Sequence, residues 1–355
     1  MKKILAFTLC ALMLFSMLAL VGCGSNKDDK KDTTTTTKAP EDNDTTPANV
    51  KFGAGLHAFV EIKEAGTGKG GKVTNASGAL EIATAAVLVD KDGKIVAYEL
   101  DAINMKTSIS ADGKVTPVSD LTLKTKYEQG AEYGMAGRSE IGKEWFEQAD
   151  AFKALVIGKT LDEVKALMVA DGDKAGYGVD SVQAAGCTIS ISEMVLALED
   201  AYKNATVEVA ADAKLALTAS NGQAAKDKSD AVKNGNNKLT ANIFGAAVDA
   251  NGKILAAASD CMEVTFTMGD DGKITADKAD GLSKRQQGND YGMVAYAGSA
   301  KEWYAQADAF DAACVGKTAA EIAGLMGEDY KGIDSLKAAG CTIYVSGFVA
   351  AASKI

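Results

Sequence analysis

Two threonines sit in the same small-residue setting, 154 positions apart: Ala185-Gly186-Cys187-Thr188-Ile189 and Ala339-Gly340-Cys341-Thr342-Ile343. Small residues before a hydroxyl let a bulky group approach the backbone, and a short turn feeding a strand presents the side chain to it. The candidate binding residues are therefore Gly186, Cys187 and Thr188 in one turn and Gly340, Cys341 and Thr342 in the other. The same small residues also serve where a helix packs tightly on a strand entrance, and that structural use stays open. A third position is chemically distinct: Cys23 follows Leu20-Val21-Gly22 at the end of an apolar stretch that begins after Lys2-Lys3.

Other residue groups offer less. Gly66-Thr67-Gly68-Lys69-Gly70-Gly71 spells a dinucleotide-type glycine string, but no helix pattern follows it and no second copy exists, so it reads as a loop. Gly158-Lys159-Thr160 and Gly316-Lys317-Thr318 resemble the end of a phosphate loop, yet the glycine expected five residues earlier is Lys153 or Asp311. Trp145 and Trp303 could stack on a planar ring or fill a core; their place on an apolar helical stripe favours the core. Lys143-Glu144 and Lys301-Glu302 read as solvated helix starts. Tyr133-Gly134-Met135 and Tyr291-Gly292-Met293 read equally well as a binding edge and as a turn.

The chain around these residues repeats itself. Lys143-Glu144-Trp145, Gln148-Ala149-Asp150-Ala151-Phe152 and Gly158-Lys159-Thr160 return as Lys301-Glu302-Trp303, Gln306-Ala307-Asp308-Ala309-Phe310 and Gly316-Lys317-Thr318. A period this long means tandem domains, 50–203 and 204–355, each large enough for a core of its own. Asp92-Gly93-Lys94 and Asp112-Gly113-Lys114, with Asn251-Gly252-Lys253 and Asp271-Gly272-Lys273, predict hairpin turns in an antiparallel meander. Trp145, Ala149, Phe152 and Val156 predict an amphipathic helix, repeated as Trp303, Ala307, Phe310 and Cys314. Gly158 ends it, and Thr160 with Glu163 predicts a capping box, matched by Thr318 and Glu321. A last strand, 188–191 or 342–345, and a terminal helix from Ser192 or Ser346 complete each copy. Strands followed by helices make the class α+β.

Composition excludes several functions. The 355 residues carry 38 Lys+Arg against 48 Asp+Glu, a net charge of −10, with no basic run to neutralise phosphates, so nucleic acid is not a partner. The single histidine, His57, lies in the first copy, so no imidazole metal site or histidine base is common to both. No nucleophile–base pair recurs, which sets a hydrolase aside and leaves no catalytic residue to name. Cys187, Cys261, Cys314 and Cys341 do not form a Cys-x-x-Cys and do not suggest a disulfide framework. Residues 24–49 hold a threonine run, mixed charges and two prolines but no aromatic residue, the composition of a disordered tether.

Residues 1–23 resemble the signal peptide and lipobox of bacterial lipoproteins, which implies cleavage before Cys23, its acylation, and anchoring on the outer face of the cytoplasmic membrane. The order of parts within each copy is similar to the FMN-binding domain of membrane-anchored bacterial lipoproteins, including the major-membrane-immunogen-like group. The parts are Tyr-Gly-Met, Glu-Trp-x-x-Gln-Ala, Asp180 or Asp334, then Gly-Cys-Thr-Ile and a terminal helix. That resemblance implies an FMN carried through a phosphoester on the signature threonine, here Thr188 and Thr342, with Gly186, Gly340, Asp180 and Asp334 as its other matches. The signature is degenerate: its aspartate stands eight residues before the threonine instead of six, alanine replaces the Ser/Thr before glycine, and cysteine replaces alanine. Two expectations follow. One is a surface electron-transfer module with a redox partner or small ligand; the other is a cofactor-free binding or structural lipoprotein that kept the fold.

Overall fold

The computed structural model describes residues 49–68 and 71–355; the lipobox, Cys23 and the tether to residue 48 lie outside it. In the first copy, β1 (Val50–Lys63) leads through the short ladder of β2 (Gly66–Thr67) and β3 (Val73–Thr74) into β4 (Ala76–Val89). β5 (Ile95–Ile109) and β6 (Val115–Thr116) follow. The second copy repeats the meander as β8 (Lys214–Lys226), β9 (Asn236–Val248), β10 (Ile254–Met268) and β11 (Ile274–Ala276). The tight turns fall where the Asp-Gly and Asn-Gly pairs predict them. Asp90 accepts from the amides of Asp92 and Lys94 while Gly93 takes φ +76°; Asp249 accepts from Asn251 and Lys253, with Gly252 at +75°.

The helices are equally local in origin. In copy one these are α1 (Lys126–Gln129), α2 (Trp145–Val156), α3 (Leu161–Lys165), α4 (Asp180–Ala184) and α5 (Ser192–Lys203). β7 (Val207–Val209) precedes β8. Copy two has α6 (Lys284–Gln287), α7 (Met293–Ala297), α8 (Trp303–Cys314), α9 (Ala319–Ile322), α10 (Asp334–Ala338) and α11 (Ser346–Ala352). The stripe residues Trp145, Ala149, Phe152 and Val156 are all buried, and the capping boxes of Thr160 with Glu163 and Thr318 with Glu321 are both formed. No helix among the described residues is long and apolar enough to cross a membrane.

Side-chain alternation fixes the layers. Ala83, Ala85, Val87 and Val89 of β4 pack on α2 and α5, while Leu80 and Ile82 face Leu239, Ala241 and Ile243 of β9. Phe244, Ala246 and Val248 turn the other way, toward α8 and α11. The order is therefore helices, sheet, sheet, helices, with the two copies back to back. β4 is buried along almost its whole length because both of its faces are covered. The class is α+β.

Each copy has an apolar cluster of its own beneath its helices, and the two copies share a further cluster between their sheets. Leu80 and Met105 pack in one cluster with Met262 and Phe266, and β7 crosses over to extend the first sheet beside β1, giving the order β6-β5-β4-β1-β7. Gly78 carries no side chain because Phe266 fills its place. The predicted last strand is a single rung in each copy, Tyr177 with Ser190 and Lys331 with Tyr344. Ile191 and Val345 turn at once into the next helix, at φ/ψ of −111°/4° and −109°/−3°, so the ladder has no length in which to grow.

Candidate functional site

The repeated motifs meet at one buried glutamine in each copy. Gln148 and Gln306 are fully buried, and the Oε1 of each accepts both the amide and the hydroxyl of the turn threonine. The distances are 2.9 and 3.0 Å for Thr188 and 2.8 and 2.9 Å for Thr342. Their amide nitrogens donate to Ser139 Oγ and Lys143 O in copy one and to Ser299 Oγ and Lys301 O in copy two. Each threonine hydroxyl is thus oriented by a group that cannot move without leaving several buried polar atoms unpaired.

The neighbouring motifs act on the same point. Glu144 accepts from the amides of Met135 and Ala136, and Glu302 from those of Met293 and Val294, so each glutamate ties the Tyr-Gly-Met loop to the helix start. Glu144 is buried, and reading it as solvated is corrected: the loop's free amides need an acceptor. Lys143 and Lys301 lie over Gly186 and Gly340, which sit at φ +101° and +97°, where a side chain would be both strained and in the way of the ammonium. Cys187 and Cys341 turn inward instead; both are fully buried, and burial pushes their thiols up to about 11. Asp180 and Asp334 are exposed in the first turns of α4 and α10. The turn therefore brings glycine and threonine to the surface, with cysteine in the core and aspartate apart.

Sequence reasoning missed a second repeated constellation. Asp101 and Asp260, buried near the middle of β5 and β10, accept the first-turn amides of Tyr127 and Arg285. Burial pushes both carboxyls up to about 6. They anchor the short helices that carry Lys126 and Lys284. Lys126 Nζ lies 5.2 Å from the rings of both Tyr133 and Trp145; Lys284 Nζ lies 5.3 Å from Tyr291 and 5.7 Å from Trp303. The signal was available in the pairs Thr125-Lys126 and Ser283-Lys284, each four residues before a glycine.

From this common framework the copies diverge. Copy two opens a cavity of about 890 Å³ on the helix side of its sheet, bordered by Thr342, Trp303, Tyr291, Tyr344 and Phe348. Tyr296 and Tyr344 stand at its edge, 89% and 67% exposed. Three lysines line it, Lys238, Lys284 and Lys331, against one carboxylate, Glu263. Lys238 and Lys284 grip Glu263 at 2.7 and 2.8 Å. Against burial, which would raise it, they hold its carboxyl below the usual range. The equivalent space in copy one, bordered by Lys126, Trp145, Ser190 and Met194, is about 70 Å³, and its charged lining is one lysine against Glu81 and Glu193. The larger cavity has the size, aromatic walls and convergent charge of a small-molecule site.

The chain is 28% identical over 149 residues to a protein named chlorophenol reductase from Desulfitobacterium hafniense, a match covering 39% of this chain and 46% of that protein. It therefore spans less than half the length of that relative. No family model and no solved structure matches the chain.

Proposed function

We propose that this is a lipid-anchored protein of the cell envelope, held by acylated Cys23 on the outer face of the cytoplasmic membrane, which carries a flavin mononucleotide and relays electrons. The observation that carries this reading is the cavity beside Thr342, with aromatic walls and an excess of positive charge in a chain of net charge −10. Such a lining fits a planar, anionic aromatic group. The exposed rings of Tyr296 and Tyr344 offer surfaces for stacking, Lys331 offers charge, and Thr342 offers an oriented hydroxyl. When bound, a flavin supplies the redox chemistry; the protein's part is to bind it, fix its orientation and set its electrostatic surroundings. Similarity to a protein named as a reductase supports a redox setting.

One observation favours the cofactor-free reading: the aspartates matched to the flavinylation signature, Asp180 and Asp334, are not among the residues lining the cavity. Protein purified from its native host should absorb in the visible range and either release FMN on denaturation or retain an FMN-derived mass at Thr342. A colourless native protein that takes up no FMN at micromolar concentration would leave the cofactor-free reading standing.

A further inference from the structure

Strand register aligns the copies residue by residue. Lys51 pairs with Val89 as Lys214 pairs with Val248, so Phe59 opposite Glu81 corresponds to Gly222 opposite Thr240. Gly222 lines the large cavity, and a Cβ built on it meets no atom within 4 Å. Its open neighbourhood shows that the glycine leaves space over the strand that no other group fills. A second exchange borders the same cavity: Gly347 lies against Asn242 in copy two, and the corresponding pair in copy one is Glu193 with Ala83. Glu193 thus adds a negative charge to the lining of the smaller space at the position where Gly347 adds none to the larger.

Copy one instead braces the cavity wall. Asn221 Nδ2 donates to Leu123 O at 2.8 Å; Val118 N donates to Gln223 Oε1 at 2.8 Å and Gln223 Nε2 to Val118 O at 2.7 Å. The residues on both sides of Gly222 are therefore held by the other copy. Gln286 Nε2 donates to Leu56 O at 2.8 Å, which fixes the helix bearing Lys284.

From these observations we infer that the chain binds one anionic planar cofactor, in the C-terminal copy, with Gly222 as the residue that admits it and the N-terminal copy as a closed supporting platform. This rests on the flavin reading above for the identity of the probe. It assigns the two copies different tasks despite their shared Gly-Cys-Thr turn.

Equilibrium dialysis of the folded chain against FMN, with thermal melts as the fold control, tests it. One FMN per chain is expected at saturation. Gly222→Phe should weaken binding at least ~10-fold with an unchanged melt, and Phe59→Gly should leave the stoichiometry at one. Lys331→Glu, at the cavity edge, should also weaken binding and serves if Gly222→Phe fails to fold. Two FMN per chain would overturn the single-site assignment while keeping the flavin reading. One FMN whose affinity ignores both the Gly222 and Lys331 changes would overturn the location. No uptake by the wild type would overturn the flavin reading and this inference with it.

Discussion

Copy one and copy two keep the same framework and put it to different use. In both, a buried glutamine orients a threonine, a glutamate pins the Tyr-Gly-Met loop, and a lysine lies over a tyrosine and a tryptophan. Positions around this framework changed, among them Phe59 against Gly222, Ser190 against Tyr344 and Glu193 against Gly347. A repeated motif thus records what the fold needs, and differences around it record which copy is open.

The difference extends to the helix flank. Arg285 in copy two joins Asp308 at 2.6 Å and Asp311 at 3.0 Å, whereas Tyr127 and Lys153 occupy the equivalent places in copy one. There Tyr127 donates to Asp150, and Lys153 reaches Glu99 at 2.6 Å. Asp311 and Lys153 have opposite charge, and their partners changed with them. Each arrangement is internally paired, so neither copy is a damaged version of the other.

The largest expected effect comes from separating the copies. Residues 50–203 expressed alone expose the face of Leu80 and Met105 that Phe266 and Met262 cover, so this piece should bind a hydrophobic dye and lack a cooperative melt. A sharp melt of each half would show that the shared core is dispensable. Next, Phe266→Ala in the full chain removes a fully buried ring from that core and should cost about 4 kcal/mol by urea unfolding. A loss under ~1 kcal/mol would place the coupling elsewhere.

Gln148→Ala and Gln306→Ala should each cost about 3 kcal/mol, because each leaves a threonine amide and hydroxyl without their acceptor. Equal losses would support a common structural role; a loss confined to copy two would tie the glutamine to the ligand site. A pH term of similar size comes from two buried carboxyls. The folded chain holds Asp101 and Asp260 protonated up to about 6, above their ordinary value of 3.8, so it binds more protons than the unfolded chain between those values. Their contribution is complete below about pH 4 and is lost as pH rises through 6, roughly 3 kcal/mol for each at ~1.4 kcal/mol per unit. Urea unfolding of Asp260→Asn should lack its share of that decline; a profile parallel to the wild type would show that Asp260 does not titrate there.

What the sequence made legible was local. Hairpin turns at Gly93 and Gly252, the Trp145 to Val156 stripe and the Thr160 capping box depend on residues within a few positions of one another. The shared core could not be read this way, since an apolar strand face does not say which other face will cover it. The role of Glu144 was hidden because its partners, the amides of Met135 and Ala136, have no side-chain signature. The candidate turns were found from their repetition, but the open position at Gly222 is placed at the cavity only by strand register.

The chain has two tryptophans, one in each copy beside the equivalent lysine, and this permits a direct reading of which copy is occupied. The measurement is a nitrogen–proton correlation spectrum of tryptophan-labelled protein during FMN titration, with the two indole signals assigned by Trp145→Phe. The Trp303 signal should shift and saturate at one FMN per chain while Trp145 stays in place. Movement of both signals to saturation at two FMN, of Trp145 alone, or of neither would contradict a single flavin site in the C-terminal copy.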